Sequence, residues 1–214
     1  LLDAISFSKG CYTGQEIVAR TQNLGRIKRR TARFRLPAGP PLPPLAALTL
    51  APVAERAGWS KGGLLRHFPN KESLQLAVVH RTTELFRERV LLPALSSAAG
   101  LPRLRAIFRH WLGWIADTGL EGGCPLNAAR LEFDDQPGEV RDTLVAGWND
   151  WLTYLERQAA RAIELKQLKT DLSPRQVVMV AIGLAAACDS MLRLLGDRHA
   201  IRESERAFDL LFTP

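Results

Sequence analysis

Five prolines within eight residues divide this chain into two unlike parts. They lie in the stretch PAGPPLPPLAAL, which begins at Pro37. Proline lacks the amide hydrogen that helices and strands use, and it disfavours helical geometry in the residue before it. We therefore predict a stiff, extended linker over residues 37–48, with one unit before it at 1–36 and another after it.

The part of the chain after the linker, residues 49–214, has a helical pattern throughout. Ser60 can cap a short helix, and Ser173 with Gln176 has the spacing of a capping box around a proline at the first helical position. The predicted helices span about 61–67, 71–92, 101–116, 137–167, 174–195 and 201–212, with a shorter one after the Gly-Gly turn at 122–123. No strand signal follows Thr49, so we predict a mainly α fold for this part.

Positive charge is concentrated toward the front of the chain. Of the formal net charge of +7, residues 1–36 carry +6, residues 37–90 carry +3 and the remainder carries −2. A basic front on a nearly neutral body is typical of a protein that faces a polyanion. The charge distribution therefore favours a nucleic-acid partner.

Residue content argues against several classes of protein. The three cysteines form no Cys-x-x-Cys pair and the four histidines have no ligand spacing, so we expect neither a disulfide framework nor a metal site. No apolar run reaches the roughly 18 residues of a membrane span, and the longest, near 177–187, is predicted to be a buried helix. The chain begins without methionine or a basic-then-apolar leader, so we expect a trimmed start and a cytoplasmic protein with no membrane partner.

A short helix, a glycine turn and a second short helix follow one another within residues 53–68. This layout predicts a helix-turn-helix. The second helix opens with Gly62 and Gly63, which would permit a close approach to the major groove, while Lys61 and Arg66 could neutralise phosphate or reach guanine. From the residues alone, a helical hairpin with solvated bases stays open as the alternative.

The stretch VAERAGWSKGGLLRHFPNKESL resembles the DNA-binding signature of the TetR/AcrR family of transcription regulators. The residues that match it in register are Ala54, Ala57, Gly58, Ser60, Gly62, Leu64, His67, Phe68, Lys71, Glu72 and Leu74. The resemblance covers about 49–214 and implies a helix-turn-helix at 49–70 followed by a ligand-binding and dimerisation body at 71–214. It implies a ligand-responsive repressor, not an enzyme, that binds a double-stranded DNA operator as a homodimer.

This resemblance also implies roles for individual residues. DNA contacts are expected from Ser60, Lys61, Gly62, Gly63, Arg66, His67 and Lys71. Phe68 would anchor the recognition helix, and the helices 174–195 and 201–212 would form the dimer interface. Two departures stand out: Arg66 occupies a position that usually holds tyrosine, and the proline linker stands where the family has its first helix. A domain without that helix buries less apolar surface, which predicts weakened DNA binding.

Tryptophans in the body indicate where a small apolar effector would bind. Trp111 and Trp114 lie three residues apart on one predicted helix, and a second pair has the same spacing on another, so facing helices could enclose a ligand. The candidate lining is Phe108, Trp111, Trp114, Cys124, Trp148 and Trp151. Two alternatives stay open: ordinary core packing of the tryptophans, and redox sensing at Cys124, which follows a Gly-Gly turn at a helix start.

The stretch KGCYTGQE near the start of the chain resembles a second, unrelated family. It is similar to the signature of the YgfZ proteins, folate-binding relatives of the glycine-cleavage aminomethyltransferases. The matching residues are Lys9, Gly10, Cys11, Tyr12, Gly14, Gln15 and Glu16. This resemblance covers about 1–48, a C-terminal-type fragment in which we predict a short capped helix and a basic strand within 1–36.

The second resemblance supplies the alternative function. It implies a role in iron–sulfur maintenance or tRNA modification with tetrahydrofolate as cofactor, whereas a regulator of the first kind needs no cofactor. Cys11 precedes a helix start, which favours its thiolate, but a cysteine nucleophile needs a base and no histidine lies within 1–36. We therefore predict a non-enzymatic regulator that carries a YgfZ-like fragment without the folate cavity.

Overall fold

The structure is a computed structural model that describes residues 44–118, 123–168 and 170–212. The YgfZ-like motif at 9–16 lies outside these residues, as do the short helix and strand predicted within 1–36. Most of the predicted proline linker lies outside them as well. The expectations for that part of the chain therefore stay predictions.

Across the described ranges the chain is helical and forms no strand, which confirms the predicted mainly α fold. A 3-10 turn at Leu45–Ala47 comes first. The helices are α1 (Leu50–Ala57), α2 (Lys61–Leu65), α3 (Lys71–Phe86), α4 (Leu101–Ala116), α5 (Pro125–Glu132), α6 (Glu139–Glu164), α7 (Pro174–Leu194) and α8 (Ala200–Leu211). Their bounds lie close to the predicted ones because caps and turns mark most ends in the sequence.

Polar caps hold the helix starts. The Ser60 hydroxyl accepts a hydrogen bond at 3.0 Å from an amide in the first turn of α2. Ser173 and Gln176 form the predicted capping box at the start of α7, with the Ser173 amide donating to the Gln176 side chain at 2.8 Å. A further capping box joins Asn70 and Ser73 at the start of α3. These bonds satisfy amides that a helix start leaves without intrahelical partners.

The predicted helix 71–92 changes geometry in its last turns. Its α-helical bonding ends at Phe86, and the five residues Arg87–Leu91 form a π-helical turn before the last turn, Leu92–Ala94. A π turn is wider than an α turn and shifts the angular position of the side chains that follow it. The turn lies in the wall of a cavity within the body, which Arg87 and Leu91 both border.

The helical body packs around one apolar core. Val90, Leu112 and Ala159 at its centre have no solvent exposure. Phe108 of α4 stacks on Phe208 of α8, with the ring centroids 4.4 Å apart. Removal of this apolar surface from water supplies most of the free energy that folds the body.

The last residues of the predicted linker are folded onto the body. Leu45 and Leu48 are buried, with 9% and 5% of their surface exposed. The Ala46 amide donates to Oε2 of Glu132, the last residue of α5, at 2.7 Å, and Nε2 of Gln75 on α3 donates to the Leu45 carbonyl at 2.7 Å. The prediction of an extended linker is therefore wrong for these residues, because leucines that follow the prolines gain free energy by burial.

Helix α7 has one buried face and one exposed apolar face. Val177 and Ala185 lie in the core, whereas Met179 and Leu194 are exposed. The buried helix predicted near 177–187 is therefore buried on one side only.

Among the described helices, α7 is the one that is long and apolar enough to cross a membrane. Core helices of other proteins meet the same criterion of length and composition.

Candidate functional site

The second helix of the helix-turn-helix, α2, is short and exposed. The predicted DNA-contact residues Ser60, Lys61, Gly62, Arg66, His67 and Lys71 are exposed, and Gly63 is half-buried. A Cβ atom placed on Gly62 would meet nothing within 4 Å, so another molecule can come close to the backbone there. This exposed side of α2 has the free space that approach to a DNA groove would require, and the DNA contacts themselves stay predictions.

The turn between α1 and α2 depends on glycine. Gly58 has a φ of +66°, in the left-handed region that residues with a Cβ atom rarely adopt. The amides of Gly58 and Trp59 turn back to carbonyls of α1, and the Trp59 amide reaches the Ala54 carbonyl at 2.8 Å. This turn sets the direction in which α2 leaves α1.

One leucine holds α2 against the protein. Leu64 is 2% exposed, whereas Phe68, which the resemblance implied as the anchor, is half-buried. The His67 ring lies against the Trp59 indole, with centroids 5.4 Å apart. Trp59 and Leu65 nevertheless stay 38% exposed each. The first helix of the family would precede Pro44, outside the described residues, so its loss remains a prediction.

The body contains a partly open cavity of about 480 Å³, a size that suits a small organic ligand. Helices α3, α4, α5, α6 and α7 all border it. Four of the six predicted lining residues border it, namely Trp111, Cys124, Trp148 and Trp151. The two tryptophan-bearing helices, α4 and α6, therefore do face a common space.

The other two predicted residues belong to the core instead. Phe108 is 3% exposed and stacks on Phe208, and Trp114 is 2% exposed. Residues three apart on a helix differ by about 60° in direction. That angle is enough for Trp111 to reach the cavity while Trp114, one turn further on, points into packed side chains.

Aromatic rings form much of the cavity wall. The Phe86 ring meets the rings of Trp111 and Trp151 nearly at right angles, with centroids 6.2 and 5.1 Å away. Trp111 and Trp151 also meet edge to face at 5.7 Å. Such edge-to-face contacts favour a rigid wall. Phe86, which lies on α3, was not among the predicted lining residues.

Sequence reasoning also missed the polar residues of the cavity. The Arg130 guanidinium lies over the Trp148 ring, and its Nη2 donates to Oδ1 of Asn127 at 2.7 Å. Asn127 in turn donates from Nδ2 to Oδ2 of Asp189 on α7 at 3.2 Å. Asn127 and Arg130 are three residues apart on α5, so a shared helix face was the signal available. No group of three or more His, Cys, Asp or Glu residues in the described chain is placed to hold a metal ion.

Two profile matches decide the family. Residues 44–78 match the family described as "Bacterial regulatory proteins, tetR family", and residues 100–208 match "Tetracyclin repressor-like, C-terminal domain". The chain belongs to the TetR family. It is therefore a ligand-responsive, DNA-binding transcriptional regulator, as the helix-turn-helix signature predicted.

Solved structures of TetR regulators share this fold. A TetR transcriptional regulator from Chloroflexus aurantiacus superposes with a TM-score of 0.69 at 20% identity, over 77% of this chain and 83% of that one. AibR in complex with isovaleryl coenzyme A and operator DNA gives a TM-score of 0.67 at 21% identity, over 79% of this chain and 90% of that one. At these identities the likeness concerns the fold alone.

The curated relatives match only short stretches. The mouse mitochondrial iron–sulfur cluster assembly factor IBA57 is 37% identical over 67 residues, 29% of this chain and 18% of that protein. The tRNA-modifying protein YgfZ of Serratia proteamaculans is 71% identical over 28 residues, 13% of this chain and 8% of that protein. The chain thus spans less than a fifth of the length of either protein. The YgfZ-like fragment rests on that short match, whereas the TetR assignment rests on most of the described residues.

Proposed function

We propose that this TetR regulator is a homodimeric, cytoplasmic repressor that leaves its operator when a small effector occupies the cavity. One observation supports the coupling: α3 and α5 both border the cavity and both reach the DNA-binding segment. Helix α3 begins at Lys71, directly after the helix-turn-helix, and borders the cavity with Val79 and Phe86. Helix α5 borders it with Asn127 and ends at Glu132, which binds the 3-10 turn ahead of α1.

The mechanism is a shift between two populations. An effector that fits the cavity better in the released conformation would move α3 and α5, and with them the spacing of the two recognition helices in the dimer. A ligand with equal affinity for both conformations would shift nothing, however tightly it bound. The proposed function therefore requires that operator DNA and effector weaken each other's binding.

Operator contact is assigned to the exposed residues of α2 and its flanks. Lys61 and Arg66 would neutralise phosphate or reach guanine, and Lys71 would lie near a backbone phosphate. Gly62 leaves room for the close approach that base contact requires. The remaining predicted contacts are Ser60, Gly63 and His67. No catalytic step belongs to this proposal.

The dimer interface is assigned to the outward faces of α7 and α8. Leu194 and Leu210 are 82% and 71% exposed in the single chain. Exposed apolar faces of this kind are covered when a second copy packs against them. The double variant Leu194→Glu, Leu210→Glu should be monomeric by light scattering, while Leu131→Glu, on a side chain 72% exposed on α5, should leave the dimer intact. A double variant that stays dimeric would remove this assignment.

Binding to the DNA upstream of its own coding sequence tests the proposal. Fluorescence anisotropy across a salt series should show binding that weakens steeply as salt rises, because phosphate contacts release counterions. Affinity below that of complete family members is expected if no first helix covers α1 and α2. A monomer without salt-dependent DNA binding would overturn the proposal.

A folate-dependent function is the second candidate, favoured by the short YgfZ match. Titration with tetrahydrofolate tests it directly. The match spans 8% of the YgfZ relative, too little chain to build a folate cavity, so we expect no binding. Micromolar binding would instead support a role in iron–sulfur maintenance or tRNA modification.

A further inference from the structure

The cavity contains a cation that no described carboxylate neutralises. The Arg130 guanidinium carbon lies 3.6 Å from the centroid of the Trp148 ring. Its hydrogen-bond partner is the side-chain oxygen of Asn127, a neutral group. Among the described residues no carboxylate oxygen lies within 4.0 Å of its nitrogens.

The other charges that border the cavity are matched or exposed. Asp189 accepts a hydrogen bond from Asn127 and has Nε of Arg193 at 3.9 Å. Arg87 and Asp150 are exposed, where water screens them. Among the described residues that border the cavity, Arg130 is therefore the half-buried charged group without a carboxylate partner, and the nearby Cys124 side chain is the group that favours its charge.

The location of Arg130 makes its charge costly. Burial lowers the pKa of the Arg130 guanidinium from its usual value by desolvation. The guanidinium still keeps its proton at neutral pH, since arginine loses it only far above that range. A desolvated cation without an anion is unfavourable, and a bound anion that accepts its hydrogen bonds would relieve the cost.

Two residues that border the cavity carry polar atoms buried beneath its surface. Nε1 of Trp151 and the hydroxyl of Tyr154 are buried atoms without a hydrogen-bond partner in the described structure. The rest of the wall includes the rings of Phe86 and Trp111. An apolar wall of this kind suits a ligand with an apolar body.

We propose that the effector is an apolar monoanion, an alkyl or aryl carboxylate, whose carboxylate pairs with Arg130 and whose body packs against Phe86, Trp111 and Trp151. The inference rests on the proposed function in placing the effector in this cavity. A guanidinium can donate two parallel hydrogen bonds to a carboxylate. Stacking on Trp148 and the bond to Asn127 restrict the guanidinium plane and so prepare it for that geometry.

Calorimetric titration with matched pairs of probes tests the charge requirement. The probes are 4-phenylbutyrate, 1-naphthylacetate and octanoate, each compared with its own neutral amide at pH 7. The carboxylate should bind roughly ten- to a hundredfold more tightly than the amide, as one hydrogen-bonded charge pair predicts. Equal or tighter binding of the amides overturns the inference, and so does the absence of carboxylate binding across all three pairs.

Variants of Arg130 test the assignment to that residue. In Arg130→Gln, the affinity for each carboxylate should fall to within about threefold of the affinity for its amide. The charge pair that gives a tenfold or larger preference is then absent. Arg130→Lys keeps the charge and should retain part of the preference without the two-pronged geometry. The control Arg161→Gln, on an exposed arginine paired with Glu164, should keep the full preference. A preference that survives Arg130→Gln in a folded protein overturns the assignment.

Operator binding measured on the same samples separates this inference from the proposed function. Salt-dependent DNA binding without a preference for carboxylates would refute the anionic effector, and the proposed repressor function would stand. A carboxylate preference lost in Arg130→Gln, without DNA binding, would support the anion site and refute the repressor.

Discussion

The helix-turn-helix and the helical body bury very different amounts of their side chains. Val90 and Leu112 in the body have no exposure, and many neighbours are as well shielded. In the helix-turn-helix Leu64 is shielded to that degree, while Trp59 and Leu65 stay 38% exposed. Units with few buried apolar contacts open at low free energy. The DNA-reading region therefore relies on caps, a glycine turn and contacts to the body, whereas the body holds itself together.

The largest effect is expected in the core of the body. Leu112→Ala removes a side chain with no exposure and should lower the free energy of unfolding by about 2–5 kcal/mol, through lost burial and the cavity left behind. The exposed Leu131→Ala, at 72% exposure, should change it by less than about 0.5 kcal/mol. Urea unfolding followed by circular dichroism measures both. A small effect of Leu112→Ala would mean that the body is less tightly packed than its burial indicates.

A substitution in the helix-turn-helix should separate the two regions. Leu64→Ala removes the residue that anchors α2 and should abolish most operator binding. The expected loss of about 2 kcal/mol or more in local stability is larger than so small a unit can tolerate without unfolding. The midpoint of unfolding of the body should stay within a few degrees of wild type. The partner substitution Leu65→Ala, on a half-exposed side chain, should keep most operator binding. If Leu64→Ala also unfolds the body, the two regions are one cooperative unit.

The hydrogen bond between the 3-10 turn and α5 should connect the regions. Glu132→Ala removes the acceptor for the Ala46 amide, a charged bond worth about 1.5–3 kcal/mol. We expect the effect of an effector on operator affinity to fall by roughly tenfold, with effector affinity in the absence of DNA unchanged. Asp134→Asn is the control, since its side chain is exposed and its backbone carbonyl accepts a hydrogen bond from Arg141 of α6. If the effect of the effector on operator affinity is unchanged in Glu132→Ala, the coupling between the two sites runs through α3 instead of α5.

The smallest effect concerns a single phosphate contact. Lys61→Gln should weaken operator binding severalfold and reduce the slope of log affinity against log salt by about one, whatever the DNA sequence. Lys166→Gln, at an exposed lysine two residues beyond the end of α6, should alter neither quantity. A change in base preference rather than in salt slope would show that Lys61 reads bases.

Local interactions explain which parts of the fold the sequence could predict. The helix starts at Ser60 and Ser173 and the stop at Gly58 depend on bonds or dihedral angles within one turn, so residue types at short spacing predicted them. The π turn after Phe86 was not predicted, although Pro93, which cannot donate to the Arg89 carbonyl four residues earlier, is a local signal for a break in α-helical bonding. The folded end of the proline linker was missed because Leu45 is buried by residues distant in the chain, including Gln75.

The sequence by itself determined that this chain is helical, that it contains a helix-turn-helix and that it belongs with the TetR regulators. Only the tertiary structure decided which tryptophans border the cavity, that Arg130 lies over Trp148 there with no carboxylate of the described residues beside it, and that Glu132 holds the turn ahead of the DNA-binding helices. The physical reason is the separation along the chain between the residues that interact. Caps and helical periodicity act within a few residues, whereas Ala46 and Glu132 are 86 residues apart and meet only after the helices have packed.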